Sequence, residues 1–353
     1  MIPTYNNIHN RFKLNGRYYS LSDLSEVAYS FIKEGDDFEQ EIGVFLNDWL
    51  DEKPYIITKT SGSTATPKLI EISKQAMVNS AIATGDFFNL KPGDTALHCL
   101  PANFIAGRMM LVRAMILGLE IDVVKPATHL EFSTKKHYDF CAMVPMQLQK
   151  NMSNLQHIKT IIVGGAAISD ALLLQIQSIK PYVYQTYGMT ETVTHIALKK
   201  INHIKKTTPY KVLPGIKISQ DDRECLVISA PKLQEESIVT NDVVILHSKT
   251  TFDWLGRIDN VINSGGVKLF PEQIETKLQK HISNRFFVSS KIDETLGNKL
   301  ILIIEGEEKT LKPEVFKSLD AYEKPKQIFY TSKFEETKTG KIHRKKTLEK
   351  IDL

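Results

Sequence analysis

Long apolar runs are missing from this chain. No stretch of about 18 or more apolar residues occurs, so a membrane-spanning helix is not expected. The opening MIPTYNNIHNRFKLNGRYYS has no apolar core ahead of a small-residue cleavage site, so it does not read as a secretory signal. Cysteine is scarce: Cys99, Cys141 and Cys225 stand far apart without metal-ligand spacing, and the 10 histidines show none either. Neither a disulfide framework nor a structural metal is expected, and a reducing, cytoplasmic location is. Charge of one sign is in small excess, with 45 Lys and Arg against 41 Asp and Glu. The surplus falls late, at Lys338, Lys341, His343, Arg344, Lys345 and Lys346. That run has no interleaved aromatics and no nucleic-acid-binding motif, so no nucleic-acid partner is expected. A solvated surface is its default reading, and a polyanionic small ligand is the functional alternative. Repeats and low-complexity segments are absent. What remains is an ordinary globular balance, 42% hydrophobic and 24% charged over 353 residues, enough for two domains.

Short apolar runs alternate with helical patterns in the first part of the chain. Tyr55–Thr58 reads as a strand entering a Ser/Gly/Thr-rich loop, and Ser73 is placed to cap a helix through about Phe88. Strands are expected at Thr95–Leu100, Ile121–Val124, Phe140–Val144, Thr160–Val163 and Tyr182–Thr186, with helices at Arg108–Leu117 and after Ser169. This alternation predicts an α/β domain with a largely parallel sheet, whose ligands gather at the carboxyl ends of the strands. After about Lys199, Pro209, Pro214-Gly215 and Pro231 punctuate β-rich pieces such as Cys225–Ser229 and Val243–Leu246. Pro271 opens an amphipathic helix with Ile274, Leu278 and Ile282 on one face, and Phe286–Ser289 and Leu300–Glu305 read as strands of a small α+β unit. We therefore expect residues 1–258 to form a large α/β domain with a β-rich subdomain. Residues 259–353 should form a small, mobile C-terminal α+β domain.

Four segments carry chemistry. Thr60-Ser61-Gly62-Ser63-Thr64-Ala65-Thr66-Pro67-Lys68 lacks Walker spacing, yet its small residues can turn backbone amides toward an anion while hydroxyls and Lys68 add donors. In Tyr187-Gly188-Met189-Thr190-Glu191, the tyrosine offers a flat face to a purine, Thr190 a hydroxyl to a phosphate oxygen, and Glu191 a hard ligand to Mg²⁺. Asp242 can accept from both ribose hydroxyls, and Arg257 can donate to them. Lys341, on a glycine-bearing loop, can enter a closed site as a positive charge and stabilise a carboxylate's attack on an α-phosphate. Taken singly, each also fits an ordinary role: a polar loop, a core tyrosine, a surface Asp–Arg pair, a solvated lysine.

Their order along the chain resembles the adenylate-forming superfamily of acyl-CoA synthetases, nonribosomal-peptide adenylation domains and luciferases. The matches TSGSTATPK, YGMTET, the Asp242 region, GRIDNVINSGGVKLFPEQIE and KTGKIHR span residues 60–344. Ala65 departs from the pattern, since the superfamily usually has glycine there. About sixty residues precede the loop, fewer than most members carry, and we expect part of the usual N-terminal subdomain to be trimmed. Within the superfamily the chain is most similar to the o-succinylbenzoate:CoA ligases of menaquinone biosynthesis, in their short form. Leu100-Pro101-Ala102-Asn103-Phe104-Ile105-Ala106-Gly107, ending at Arg113, resembles their LPLFHxSGxxxxxR segment, with Phe104 where histidine and Ala106 where serine are common. Arg113 matches the arginine associated with the acyl substrate's carboxylate, although a helix-face arginine also fits the pattern.

The resemblance implies an ATP-dependent acid:CoA ligase with Mg²⁺, ATP and coenzyme A. Carboxylate adenylation is followed by thioester formation, on o-succinylbenzoate. Thr60, Ser61, Gly62, Ser63, Thr64, Lys68, Tyr187, Gly188, Met189, Asp242 and Arg257 would hold the nucleotide. Thr190, Glu191 and Lys341 would act in catalysis, with Glu191 on the Mg²⁺. Phe104, Ala106, Arg113, Gly165 and His195 would line the acyl pocket. Asp259 would be the hinge of a rotating C-terminal domain, and a strand containing Ser264, Gly265 and Gly266 would line the thiol tunnel. Another aryl- or acyl-CoA synthetase, an enzyme loading a carrier protein, and a non-catalytic nucleotide-binding homologue stay open, as does a homodimer.

Overall fold

The structure is a computed structural model that describes residues 3–59, 69–204, 208–336 and 342–351. Thr60, Ser61, Gly62, Ser63, Thr64, Ala65 and Lys68 of the anion loop, and Lys338 and Lys341, lie outside the described residues.

Among the described residues, 13 strands form one sheet. Its middle is parallel: Lys13–Leu14, Glu120–Val123, Thr95–His98, Tyr138–Met143, Ile158–Val163 and Tyr182–Gly188 lie side by side in that order. Side chains alternate across it with the period of two that extended backbone imposes. Ala96, Phe140, Ala142 and Ile162 pack under helices Leu21–Glu34, Asp37–Leu50, Lys74–Phe88 and Ile105–Leu117. Leu97, Cys99, Cys141, Met143, Ile161 and Val163 pack against Leu148, Leu172 and Ile176 on the other face. A parallel sheet covered on both faces explains why its central strands hold apolar runs such as Phe140–Met143 and Ile161–Val163.

Ser73 caps its helix as expected, accepting from the Ala76 amide at 3.3 Å, and Asn89 ends it in the left-handed conformation. The next helix is longer than the pattern suggested, Ile105–Leu117, and Gly118 closes it at φ 72°. It is apolar nearly all round and buried, with Met109–Ile116 all inaccessible. Arg113 is therefore in the interior and not on a polar helix face.

Two expectations need correction. Tyr55–Lys59 is a strand, but it joins no parallel neighbour; it pairs antiparallel with Leu69–Ser73 in a separate hairpin whose connection is the anion loop. The alternation in Leu69-Ile70-Glu71-Ile72-Ser73, with Ile72 buried, carries that second strand. Of Ser264-Gly265-Gly266, only Ser264 lies in a strand. Gly265 and Gly266, at φ 55° and 82°, are the two central residues of the turn joining Ile262–Ser264 to Val267–Leu269. Two consecutive positive φ values are what a tight hairpin with right-twisted strands requires, and glycine supplies them without a Cβ penalty.

The β-rich pieces expected as a subdomain continue the main sheet in antiparallel fashion, through His195–Lys200, Tyr210–Val212, Thr251–Arg257, Ile238–Ser248, Cys225–Ser229 and Lys217–Gln220. Beyond Asp259 a separate core forms around Ile262, Leu269, Ile274, Leu278, Val288 and Leu302, under a three-stranded sheet of Phe286–Asp293, Gly297–Glu305 and Gln327–Thr331. The Gln273 amide donates to Trp254 O and Leu255 O, and Lys280 pairs with Asp170 at 3.2 Å, tying this core to the large sheet. Arg344 of the late basic run is not a free surface cation. It bonds Glu275 at 2.8 Å, whose carboxyl burial pushes up to about 7 although Arg344 opposes the rise.

Candidate active site

The carboxyl ends of the parallel strands bring together Leu100–Ala106, Val144, Gly164-Gly165 and the connection after Gly188, which are distant in sequence. Close packing fixes their glycines. A Cβ on Gly164 would sit 2.3 Å from Thr186 Oγ1, and one on Gly188 would sit 2.3 Å from Thr194 O. Arg108 ties the anion-loop hairpin to this edge, donating to Ala102 O and to Ile57 O, each at 2.9 Å.

Asp242 and Arg257 face each other as directly paired residues on adjacent antiparallel strands. Asp242 is buried and already bonded: the Tyr187 phenol donates to Oδ2 at 2.6 Å and the Trp254 indole to Oδ1 at 3.1 Å. A carboxylate has about four acceptor positions, so each oxygen retains one for a further donor. Burial, with the Asp242 charge beside it, raises the Tyr187 phenol far above its ordinary value and keeps it a neutral donor. The Tyr187 ring rests edge-on against Phe252 at 5.2 Å, which sets its plane. The Arg257 guanidinium points to Asp259 Oδ2, 3.0 Å away, and Asn241 also reaches that oxygen. Asp259 lies exposed in a one-turn helix, Ile258–Asn260, between the two cores.

Thr190 and Glu191 occupy the tip of the connection between Tyr182–Gly188 and His195–Lys200. Glu191 is exposed, while Thr192 and Val193 are buried beneath it. Among the described residues no group of three or more His, Cys, Asp or Glu is arranged for a resident metal. A single exposed carboxylate nevertheless suits Mg²⁺ arriving with a nucleotide, because that ion takes one or two carboxylates and fills its shell with phosphates and water.

Arg113 is 1% exposed, and among the described residues no carboxylate lies within ion-pair distance of it. Its Nη2 faces His195 Nδ1 at 3.5 Å and its Nε has no partner. His195 Nε2 lies 3.3 Å from Thr84 Oγ1, and that hydroxyl donates to Ser80 O at 3.0 Å. An arginine cannot accept, so Nδ1 is the acceptor and Nε2 carries the proton, which Thr84 receives. Burial and the neighbouring Arg113 hold His195 well below its ordinary pKa, so the ring is neutral. Ala106 and Arg113 are seven positions apart on one helix and share a face, about 10 Å apart along the axis. Phe104 and Ala106 are exposed at the helix start and Arg113 is buried below. Gly165, at φ 83°, and Gly164 border the same edge.

Residues 21–227 match the family model described as AMP-binding enzyme, more than half of the chain. The chain belongs to the AMP-binding enzyme family. It is similar to the 2-succinylbenzoate–CoA ligase of Listeria monocytogenes, 26% identical over 92% of this chain and 75% of that protein. It is also similar to the crystal structure of an acyl-CoA synthetase (AMP-forming)/AMP-acid ligase II-like protein from Dyadobacter fermentans. That chain is 37% identical with a TM-score of 0.61, covering 92% of this chain and 98% of the other. The o-succinylbenzoate coenzyme A synthetase of Bacillus subtilis, solved with ATP and magnesium ion, shares the fold. Its TM-score is 0.71 at 18% identity, over 86% of this chain and 74% of that one. No helix among the described residues is long and apolar enough to cross a membrane.

Four residues of this AMP-binding enzyme escaped the sequence reading. Trp254 holds Asp242 from the neighbouring strand, and its place there depends on a register shift between Val243 and Val244. Thr84 sits inside a helix that reads as ordinary core. Thr192 was given no role beside Thr190 and Glu191, and its burial shows only in the fold. His98 is buried on a central strand with neither ring nitrogen bonded, and burial lowers it to about 4. Only its polarity in an apolar strand marked it.

Proposed function

We propose that the chain is an ATP-dependent acid:CoA ligase acting on a carboxylic acid that bears a second carboxylate, with o-succinylbenzoate the favoured substrate. The observation that carries this reading is Arg113: a guanidinium removed from water with no anion beside it is costly, and a substrate carboxylate would complete it. The names of the relatives support the acid, and the motifs around Thr190, Glu191 and Asp242 support the nucleotide. Residues 1–258 would bind both substrates, and residues 259–353 would form the mobile domain that brings Lys341.

In the first half-reaction a carboxylate oxygen of the acid attacks the α-phosphorus of Mg·ATP, and pyrophosphate leaves with the electrons of the broken P–O bond. The loop from Thr60 to Lys68 would hold the β- and γ-phosphates and Thr190 the α-phosphate. Glu191 would hold the magnesium that enters with ATP, whose charge offsets that of the phosphates. Asp242 and Arg257 would take the ribose, Tyr187 would flank the adenine with Gly188 and Met189 beneath it, and Lys341 would stabilise charge on the reacting oxygens. In the second half-reaction the coenzyme A thiol attacks the acyl carbonyl and AMP leaves. Lys341 must then withdraw by rotation about Asp259, and the Gly265-Gly266 turn would border the thiol's path.

Pyrophosphate release without thiol, across a panel of carboxylates, tests this directly. Release with o-succinylbenzoate but not with a monocarboxylic aryl acid is expected, followed by thioester formation once coenzyme A is added. Equal rates with both acids would remove Arg113's role. Silence with every acid would favour a nucleotide-binding homologue.

A further inference from the structure

Val193 has φ 67° and ψ −56°, and the Thr194 amide donates to Thr192 O at 2.7 Å across it, which makes Val193 the centre of a γ-turn. A β-branched residue pays roughly 1–3 kcal/mol for such a conformation, and it persists only where its surroundings over-determine it. Those surroundings are specific. Thr192 is wholly buried, and its hydroxyl accepts from the Met189 amide at 3.0 Å. The same hydroxyl lies 2.9 Å from Met189 O and 2.7 Å from Thr194 O, so its single hydrogen is shared between the two carbonyls at the ends of the connection. The Val193 side chain is buried in the main core. Gly188 lets the closing strand approach so near that any Cβ there would meet Thr194 O and His195 Cα. The result is a narrow loop, closed at its base by one hydroxyl, with Thr190 and Glu191 at its tip.

We infer that Thr192 is a positioning residue for the adenylation step. Its hydroxyl closes the base of the strained Met189–Thr194 loop and thereby fixes Thr190 and Glu191 toward the phosphates of Mg·ATP. The inference rests on the proposed roles of Thr190 and Glu191. It adds that their placement is held by a residue that touches neither nucleotide nor acid. Thr192→Val keeps shape and burial and removes the hydroxyl, leaving the Met189 amide without its acceptor. Thr192→Ser keeps the hydroxyl.

The test measures three quantities in the full chain: affinity for magnesium with a non-hydrolysable ATP analogue by calorimetry, amide hydrogen exchange at Met189 and Thr194, and the rate of each half-reaction. For Thr192→Val, affinity and adenylation should each fall about tenfold to a hundredfold, the scale of an unmet buried donor. Exchange at both amides should rise about tenfold or more. Thioester formation from supplied acyl-adenylate should stay within about threefold, and Thr192→Ser should match the parent within the same margin. Parental affinity and exchange in Thr192→Val would overturn the inference, as would equal loss of both half-reactions or equal loss in the serine variant. Should the valine variant fail to fold, Thr192→Ala, which also lacks the hydroxyl and leaves only a small cavity, should show the same pattern; unchanged affinity there would overturn the inference as well. Glu191→Gln separates this from the underlying reading. If that variant adenylates normally, the role of Glu191 fails. If it is impaired while Thr192→Val is not, only the positioning role fails.

Discussion

Replacing Arg113 with methionine should make the unliganded protein more stable and almost unable to use a dicarboxylic acid. Burial lowers the guanidinium from 12.5 to about 9. At 1.36 kcal/mol per pH unit, that places the charged form roughly 5 kcal/mol above its solvated reference. The sign follows from linkage. A base depressed in the folded state is charged there at a cost throughout the range below its folded pKa, and the cost fades only as pH rises past about 9. At neutral pH it is present in full. Methionine fills much of the same volume, carries no charge and leaves His195 Nδ1 its only unmet neighbour, which offsets part of the gain. Replacing buried ions by apolar groups stabilises by about 1–4 kcal/mol, so a gain near 2 kcal/mol is expected, roughly 4–8 °C in the melting of the large unit. The acid should respond in the opposite direction. Losing one partner of a buried ion pair costs about 3–5 kcal/mol, or roughly a 10²- to 10⁴-fold rise in KM for o-succinylbenzoate, with KM for ATP little changed. Calorimetry with and without acid reads both effects: the acid should raise the parent's melting temperature and leave the variant's where it is. A variant less stable than the parent, or one that keeps the parent's KM for the dicarboxylic acid, would refute the claim that the buried charge awaits a substrate anion.

His98 falls from 6.5 to about 4 by burial, so between those values the unfolded chain binds a proton that the folded chain does not. Stability should drop by roughly 3 kcal/mol as pH falls through that window, and His98→Leu should flatten the profile of urea midpoint against pH. Lys341→Ala should slow pyrophosphate formation by roughly 10²-fold or more while largely sparing thioester formation from supplied acyl-adenylate; equal losses would remove its assignment to the first step. Asp259→Pro, which fixes φ in the one-turn helix between the two cores, should impair one half-reaction selectively, and stopped-flow rates unchanged in both would rule out a hinge there.

Much of the parallel sheet was legible because its strands are buried on both faces. Apolar runs such as Phe140–Val144 and Ile161–Val163 have no other comfortable home. The hairpin of Tyr55–Lys59 with Leu69–Ser73 was only half seen, since pairing partners are chosen in space and a strand next to a loop does not announce its neighbour. The Gly265-Gly266 turn was mistaken for strand because adjacent glycines report permissiveness, and only the observed φ values show how it was used.

The chemistry divides in the same way. The order of the anion loop, Thr190-Glu191, Asp242, Arg257 and Lys341 along the chain was enough by itself to place it among adenylate-forming proteins. In the proposed mechanism each group meets a fixed part of the nucleotide, which restricts the residue types that can serve there. Arg113 could be singled out from its motif, but not its isolation. Whether an arginine near a helix centre is solvated, paired or left waiting for an anion depends on what surrounds it after folding. The sheet puts His195, itself held by Thr84, beside it, and no acid among the described residues. The strained base under Thr190 and Glu191 and the Trp254 bond to Asp242 were likewise decided only in three dimensions. Both arise from close approach between strands, whose register and twist are properties of the packed sheet and of no short segment within it.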